Sequence, residues 1–269
     1  MARFFVERAG LRLAVEDVGD GRPVLFQHGL GADARQVAEV FPTGPAMRRI
    51  TLECRAQGES DAGPAAALSI ATFSDDVAWL AEHLRLRRAI FGGISLGAAV
   101  ALRLAVRRPD LVGGLILARP AWLFKPGPEN MLPYARVGAL LGHRDPEAAR
   151  AAFLGSEVAA RLAAEAPDNL ASLLRFFDHP APKTLAVLLQ AIAADGPGVT
   201  EAEAKAIAVP TLVIGHGEDL AHPFAYAERL AGAIPGARLA RITSKVVDRS
   251  RYVAEFRAAI IDFIGAVDG

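Results

Sequence analysis

The run Ala89 to Leu104, AIFGGISLGAAVALRL, constrains this chain more than any other stretch. It opens as a short apolar segment, Arg88-Ala89-Ile90-Phe91, of the kind a buried strand uses. It closes as a helix of small and aliphatic residues, Ala98 to Val106. Between them Gly93-Ile94-Ser95-Leu96-Gly97 fits G-x-S-x-G. A strand that turns sharply into a helix strains the backbone of its turn residue. The residues two before and two after must be small, or their Cβ atoms would collide with neighbouring backbone. The serine hydroxyl is then pushed out at the carboxyl end of the sheet, above a helix N-terminus. Ser95 is therefore the candidate nucleophile. The plainer alternative is a glycine-rich turn with no chemistry.

The flanking chain alternates in type. Phe4 to Ala9 and Leu11 to Val18 read as an edge hairpin turning at Gly10, and Pro23 to Gln27 as a short apolar strand. Asp33 is placed to cap a helix through Phe41. Arg49 to Cys54 is a strand, and Ser69 to Leu86 an amphipathic helix with Ile70, Phe73, Val77, Leu80, Ala81 and Leu84 on one stripe. Leu111 to Ala118 follows the Ser95 helix as another strand. Strand–helix alternation of this kind predicts an α/β fold: a mostly parallel central sheet of about eight strands with helices on both faces.

The rhythm breaks at Arg119-Pro120-Ala121-Trp122. From there to about Ala208 the chain reads as short helices punctuated by proline and glycine: Met131–Leu141, Pro146–Leu154, Ser156–Ala166, Asn169–Phe177, Lys183–Ala194 and Glu201–Ile207. A helical insertion of this size between sheet strands predicts a cap over a site; the alternative is a helical layer on the sheet flank. The expected division is a core of 1–119 and 209–269 with a helical cap of 120–208. The sheet resumes at Pro210 to Gly215, a helix runs from Phe224 to Ile234, and Ala237 to Ile242 is the last strand. A final helix opens at Asp248 or Ser250 and runs through Ile264.

Thirty basic residues balance thirty acidic ones, so no global field draws the chain to nucleic acid or an anionic membrane. No phosphate loop or dinucleotide fingerprint is present. The single cysteine, Cys54, excludes an internal disulfide and a cysteine-built metal site and reads as a small buried hydrophobe. His216-x-Glu218-Asp219-x-x-His222 holds metal-ligand types but lacks the helical i, i+4 face that would gather them. The expectation is a cytoplasmic protein with no cofactor and no metal, acting on a small molecule, with no nucleic-acid or membrane partner. Nothing in the chain specifies an oligomeric state.

Taken together, these motifs resemble the α/β-hydrolase superfamily, and in its order. His28-Gly29 follows the third strand, Arg55-Ala56-Gln57-Gly58-Glu59-Ser60 looks like the family's R-G-x-G-x-S loop with Ala56 for the usual glycine, and Gly93 to Gly97 is the nucleophile elbow. Gly217-Glu218-Asp219, with Pro223 four residues after Asp219, looks like the acid loop. The resemblance implies Ser95 as nucleophile, the N–H groups of Leu30 and Leu96 as an oxyanion hole, and Asp219 as the acid that orients the base. Its alternative is a loop carboxylate that merely caps a helix.

The family's base is a histidine in the loop after the last strand. This chain has six histidines (His28, His83, His143, His179, His216 and His222) and none lies beyond His222. The loop instead reads Thr243-Ser244-Lys245, so Lys245 is nearest the expected position. Three readings follow. Lys245 is the base, neutralised by burial; beside Asp219 it would instead form an ion pair and stay charged. Or a histidine has moved in: His222, three residues from Asp219, His28 beside the oxyanion loop, or His179 from the cap. Or there is no base, and the site binds without hydrolysing.

The enzyme reading is a serine hydrolase of a small ester, lactone or other acyl compound through a Ser95 acyl-enzyme. His28, Trp122, Phe176 and Phe177 are expected to line its pocket. The other reading is a non-catalytic binder of a small ligand. A basic group within hydrogen-bond reach of Ser95 discriminates the two.

Overall fold

A computed structural model describes residues 2–44 and 46–268. Eight strands form one sheet: β1 (Ala2–Arg8), β2 (Leu11–Val18), β3 (Arg22–Gln27), β4 (Met47–Leu52), β5 (Ala89–Ile94), β6 (Val112–Ala118), β7 (Thr211–Gly215) and β8 (Arg238–Arg241). Their order is β1-β2-β4-β3-β5-β6-β7-β8. β2 runs antiparallel to both β1 and β4, and every other neighbour is parallel. The mostly parallel α/β sheet expected from the alternation is the one observed.

Period-two alternation splits the strand residues between two cores. Leu25, Phe91, Leu115, Leu117 and Val213 join one, with helices α2 (Ile70–His83) and α3 (Leu96–Arg107). Phe26, Ile90, Ile116, Ile214 and Leu212 join the other, with α1 (Ala34–Val40) and α11 (Arg249–Asp268). Both faces are covered, so β5 and β6 are buried end to end and read as unbroken apolar runs. The edge hairpin also carries a buried charge: Glu16 on β2 is buried and pairs with the buried Arg49 of β4.

Between β6 and β7 lie α4 (Leu132–His143), α5 (Pro146–Leu154), α6 (Glu157–Glu165), α7 (Pro167–Leu174), α8 (Pro182–Ala194) and α9 (Glu201–Lys205). The expected single helix Asn169–Phe177 is in fact α7 followed by a tighter 3-10 turn over Arg175–Asp178. The tightening turns Phe176 and Phe177 inward, where both are buried. α4 and α8 pack closely at Gly138, where a Cβ would sit 3.0 Å from the Ala186 carbonyl. After β7 come α10 (Phe224–Ala233), β8 and α11. No described helix is long and apolar enough to cross a membrane.

Candidate active site

Ser95 stands between β5 and α3 with φ +57° and ψ −108°, a conformation that L-residues avoid. The flanking glycines are steric necessities. A Cβ on Gly93 would lie 2.6 Å from Gly97 backbone atoms, and one on Gly97 would lie 2.4 Å from the Gln27 carbonyl. The Ser95 N–H donates to the Ala118 carbonyl at 2.9 Å, which pins the turn to the end of β6.

His222 Nε2 lies 2.9 Å from Ser95 Oγ. Its Nδ1 lies 2.9 Å from Asp219 Oδ1 and 3.0 Å from Oδ2, and its backbone N–H donates to Asp219 Oδ1 at 3.1 Å. With Nδ1–H turned to the carboxylate, Nε2 is left to accept the serine proton. Asp219 and His222 share one loop after β7, so a three-residue turn builds both interactions. Arg119, at the end of β6 with φ +46°, donates to Asp219 Oδ2 from Nε at 2.9 Å and Nη2 at 2.6 Å. Asn169 of α7 donates to Asp219 Oδ1 at 2.9 Å, while its own carbonyl oxygen accepts from the Ala221 N–H at 2.9 Å.

These partners set the charges. Burial alone would raise the Asp219 pKa; the Arg119 charge and then His222 outweigh it and hold the carboxyl well below its usual range. Burial lowers the His222 pKa; Asp219 pulls it back up, while Arg119 and Lys245 push it down. The imidazole is therefore neutral at neutral pH, the state a base requires.

Lys245 does not occupy the place the sequence assigns it. Among the described residues it makes no ion pair with Asp219 and no hydrogen bond to Ser95. Arg119 has taken the carboxylate. The Lys245 Nζ sits 5.0 Å from the centre of the Tyr252 ring. Burial, then the nearby Arg119 charge, brings its pKa down to about 8.

The loop after β3, expected to carry the oxyanion donors, is held from behind. Gln36 accepts from the Gly29 N–H at 2.7 Å and Gln57 from the Gly31 N–H at 2.7 Å. The N–H groups of Leu30 and Leu96 donate to no protein acceptor among the described residues, and that of Leu96 belongs to the first turn of α3, which leaves such donors unpaired. Gln57 is in turn fixed by its loop, where Arg55 grips the buried Asp76 of α2 at 2.7 and 2.9 Å. Ala56 adopts φ +61°, which explains why a glycine suits that position.

A cavity of about 470 Å³ opens onto Ser95 and His222, lined also by Leu30, Tyr134, Asn169, Phe176 and Lys245. Of the four expected pocket residues only Phe176 lines it. His28 is buried, with Nδ1 2.8 Å from the Gly29 carbonyl and Nε2 accepting from the Cys54 N–H at 3.0 Å, so it shapes the turn. Trp122 is buried with its indole N–H on the Asp195 carbonyl, and Phe177 packs on Phe153. His179 reaches the cavity wall but spends its Nδ1 on the Ala181 N–H. His216 stacks edge-on against Tyr252, and its Nε2 is 3.5 Å from Asp219. No group of three or more potential metal ligands occurs among the described residues.

Sequence reasoning missed Arg119 and Asn169. Arg119 had a signal: a charged residue directly after a buried strand, at the edge where the acid loop lies. Asn169 had none beyond its place at a helix start.

A strained serine at a strand–helix turn, facing a histidine–carboxylate pair at the carboxyl ends of a parallel sheet, defines a hydrolase-type scaffold. The chain belongs to the α/β-hydrolase fold family, whose model matches residues 22–145. It is 30% identical to the RutD protein of Rhizobium rhizogenes, a proposed carbamate hydrolase, over 83% of this chain and 85% of that one. Among solved structures it superposes on the enol-lactonase of Burkholderia xenovorans with TM-score 0.75 and 26% identity, covering 97% of this chain and 99% of that one. It superposes on Est816, described as an N-acyl homoserine lactone degrading enzyme, with TM-score 0.71 and 26% identity, covering 96% and 99%.

Proposed function

We propose that the protein hydrolyses small esters, lactones or related acyl compounds through Ser95, His222 and Asp219, with residues 120–208 as a cap over the site. The observation that carries this is the 2.9 Å contact between His222 Nε2 and Ser95 Oγ. His222 takes the serine proton as Oγ attacks the acyl carbon, and Asp219 stabilises the imidazolium that forms. The N–H groups of Leu30 and Leu96 receive the developing oxyanion, each worth about 3 kcal/mol of barrier. His222 then returns its proton to the leaving group, and an incoming water repeats the sequence on the acyl-enzyme. The base stands on the acid loop rather than after the last strand, so the third triad member is relocated rather than lost. A carbamate shares the same electrophilic carbon, so the RutD likeness and the lactonase likenesses point to one chemistry. The binding-only alternative needs a Ser95 with no base in reach, and His222 removes its motive.

The test is labelling with a fluorophosphonate probe, which reacts quickly only with an activated serine. The wild type labels, Ser95→Ala does not, and His222→Gln labels about 10³-fold more slowly or less. Full-rate labelling of His222→Gln would sink the assignment of His222 as base.

A further inference from the structure

The cavity wall carries more positive charge than the proposed hydrolysis uses. Three of its cations are occupied: Arg119 by Asp219, Arg249 by Glu39 at 2.7 Å, and Arg35 by Asp33. Lys245 has an aromatic face and makes no ion pair among the described residues, although Asp168, Glu39 and Asp219 lie near enough to favour its charge. Arg175, at the exposed rim, makes only a 3.3 Å contact with Ser172 Oγ. Against these two stands one unpaired carboxylate of the lining, Asp168, which makes no ion pair among the described residues.

A half-buried ammonium without an acceptor is costly, and an apolar substrate would cost more by removing its remaining water. Two features place Lys245 beside the chemistry rather than outside it. It lines the same cavity as Ser95, and it lies near enough to His222 for its charge to disfavour the imidazolium. An anion arriving at Lys245 would share the cavity with an acyl group at Ser95 and would also ease protonation of His222.

We propose that Lys245, helped by Arg175 at the rim, forms a carboxylate-binding subsite, so that the substrate is a short acyl compound carrying a second, ionised acid group. This rests on the hydrolase reading above and narrows its substrate class. The Tyr252 ring faces the ammonium, and Phe176 gives the same cavity an apolar wall for the carbon chain.

The test compares two aryl esters of equal length, 4-nitrophenyl hemiglutarate and 4-nitrophenyl pentanoate, in the wild type, Lys245→Met and Lys245→Arg. The wild type prefers the hemiglutarate in kcat/KM. Lys245→Met lowers the hemiglutarate-to-pentanoate ratio about 10- to 100-fold, chiefly through KM, and Lys245→Arg restores part of it. In parallel, calorimetry on Ser95→Ala follows binding of monomethyl glutarate and its neutral dimethyl ester, which needs no turnover. A ratio unmoved by Lys245→Met overturns the subsite while leaving the hydrolase standing. Monoester binding by Ser95→Ala that the added Lys245→Met abolishes, with no ester turned over by the wild type, keeps the subsite and rejects the hydrolase. Should Lys245→Met fail to fold, the wild type decides: a pentanoate preference, or a hemiglutarate preference that rising salt leaves untouched, overturns the proposal.

Discussion

Arg119 reaches Asp219 across the carboxyl end of the sheet and places two N–H donors on a single oxygen, Oδ2, while Asn169 donates to Oδ1 and His222 Nδ1 lies against both oxygens. A buried carboxylate thus has both oxygens filled before any substrate arrives. The guanidinium also stands 3.2 Å from His222 Nδ1, so its charge opposes protonation of the imidazole. Replacing it with a neutral side chain should relieve that opposition. Arg119→Gln is expected to move the acid limb of the kcat/KM profile upward by about one pH unit. It should also cost about 3–5 kcal/mol of stability, the penalty for stranding one member of a buried pair. A pH–rate profile and a denaturant titration read both. An unmoved acid limb would show that Arg119 holds only the fold.

The proposed mechanism needs neutral His222, and its pKa lies below the ordinary 6.5. The acid midpoint of the proposed hydrolysis is therefore expected below that of an ordinary imidazole, with activity lost as the imidazole takes its proton. A kcat/KM profile with its acid midpoint at or above 7 would contradict this electrostatic account.

The sheet was legible because strand and helix periods differ and because buried parallel strands read as continuous apolar runs; Ala89 to Ile94 and Val112 to Ala118 are the clearest. Ser95 was legible from two glycines whose absence of Cβ has a steric cause. His222 was harder. Its place depends on how the loop after β7 turns, and Asp219-Leu220-Ala221-His222 turns because the His222 N–H returns to Asp219 Oδ1. No local sequence rule distinguishes that turn from a loop pointing His222 at solvent. Lys245 shows the converse. Position in the chain implied a role, while the partner that would have given it one, Asp219, was already held by an arginine 100 residues away.

Asn169 joins the inserted helices to the acid loop, giving one hydrogen bond to Asp219 and taking one from the Ala221 N–H. Asn169→Ala leaves a buried N–H unpaired and should cost about 1–3 kcal/mol, with kcat/KM falling about tenfold as Asp219 loosens. Asn169→Asp keeps the shape but sets a second carboxylate against Asp219, so it should be the worse of the two in activity. Thermal melts and ester kinetics on both variants give the ranking. An aspartate variant as active as the wild type would remove Asn169 from the positioning of the triad.

Two glycines with opposite surroundings separate the demands of the elbow from ordinary helix propensity. A Cβ on Gly97 meets the Gln27 carbonyl at 2.4 Å and its carbon at 2.8 Å, both backbone atoms of β3 that cannot swing aside. Relief requires α3 to lift away from the sheet, carrying the Leu96 N–H and Ser95 with it. Gly265 lies within α11 and has nothing within 4 Å of its added Cβ. There alanine only restricts the unfolded chain and favours the helix, a gain of about 0.5–1 kcal/mol. Gly265→Ala should therefore raise the melting temperature by a few degrees and leave ester hydrolysis alone, while Gly97→Ala should lose folded protein or, if it folds, most fluorophosphonate labelling. Equal melting temperatures and labelling for the two variants would mean that the packing of α3 on β3 does not hold Ser95 in place.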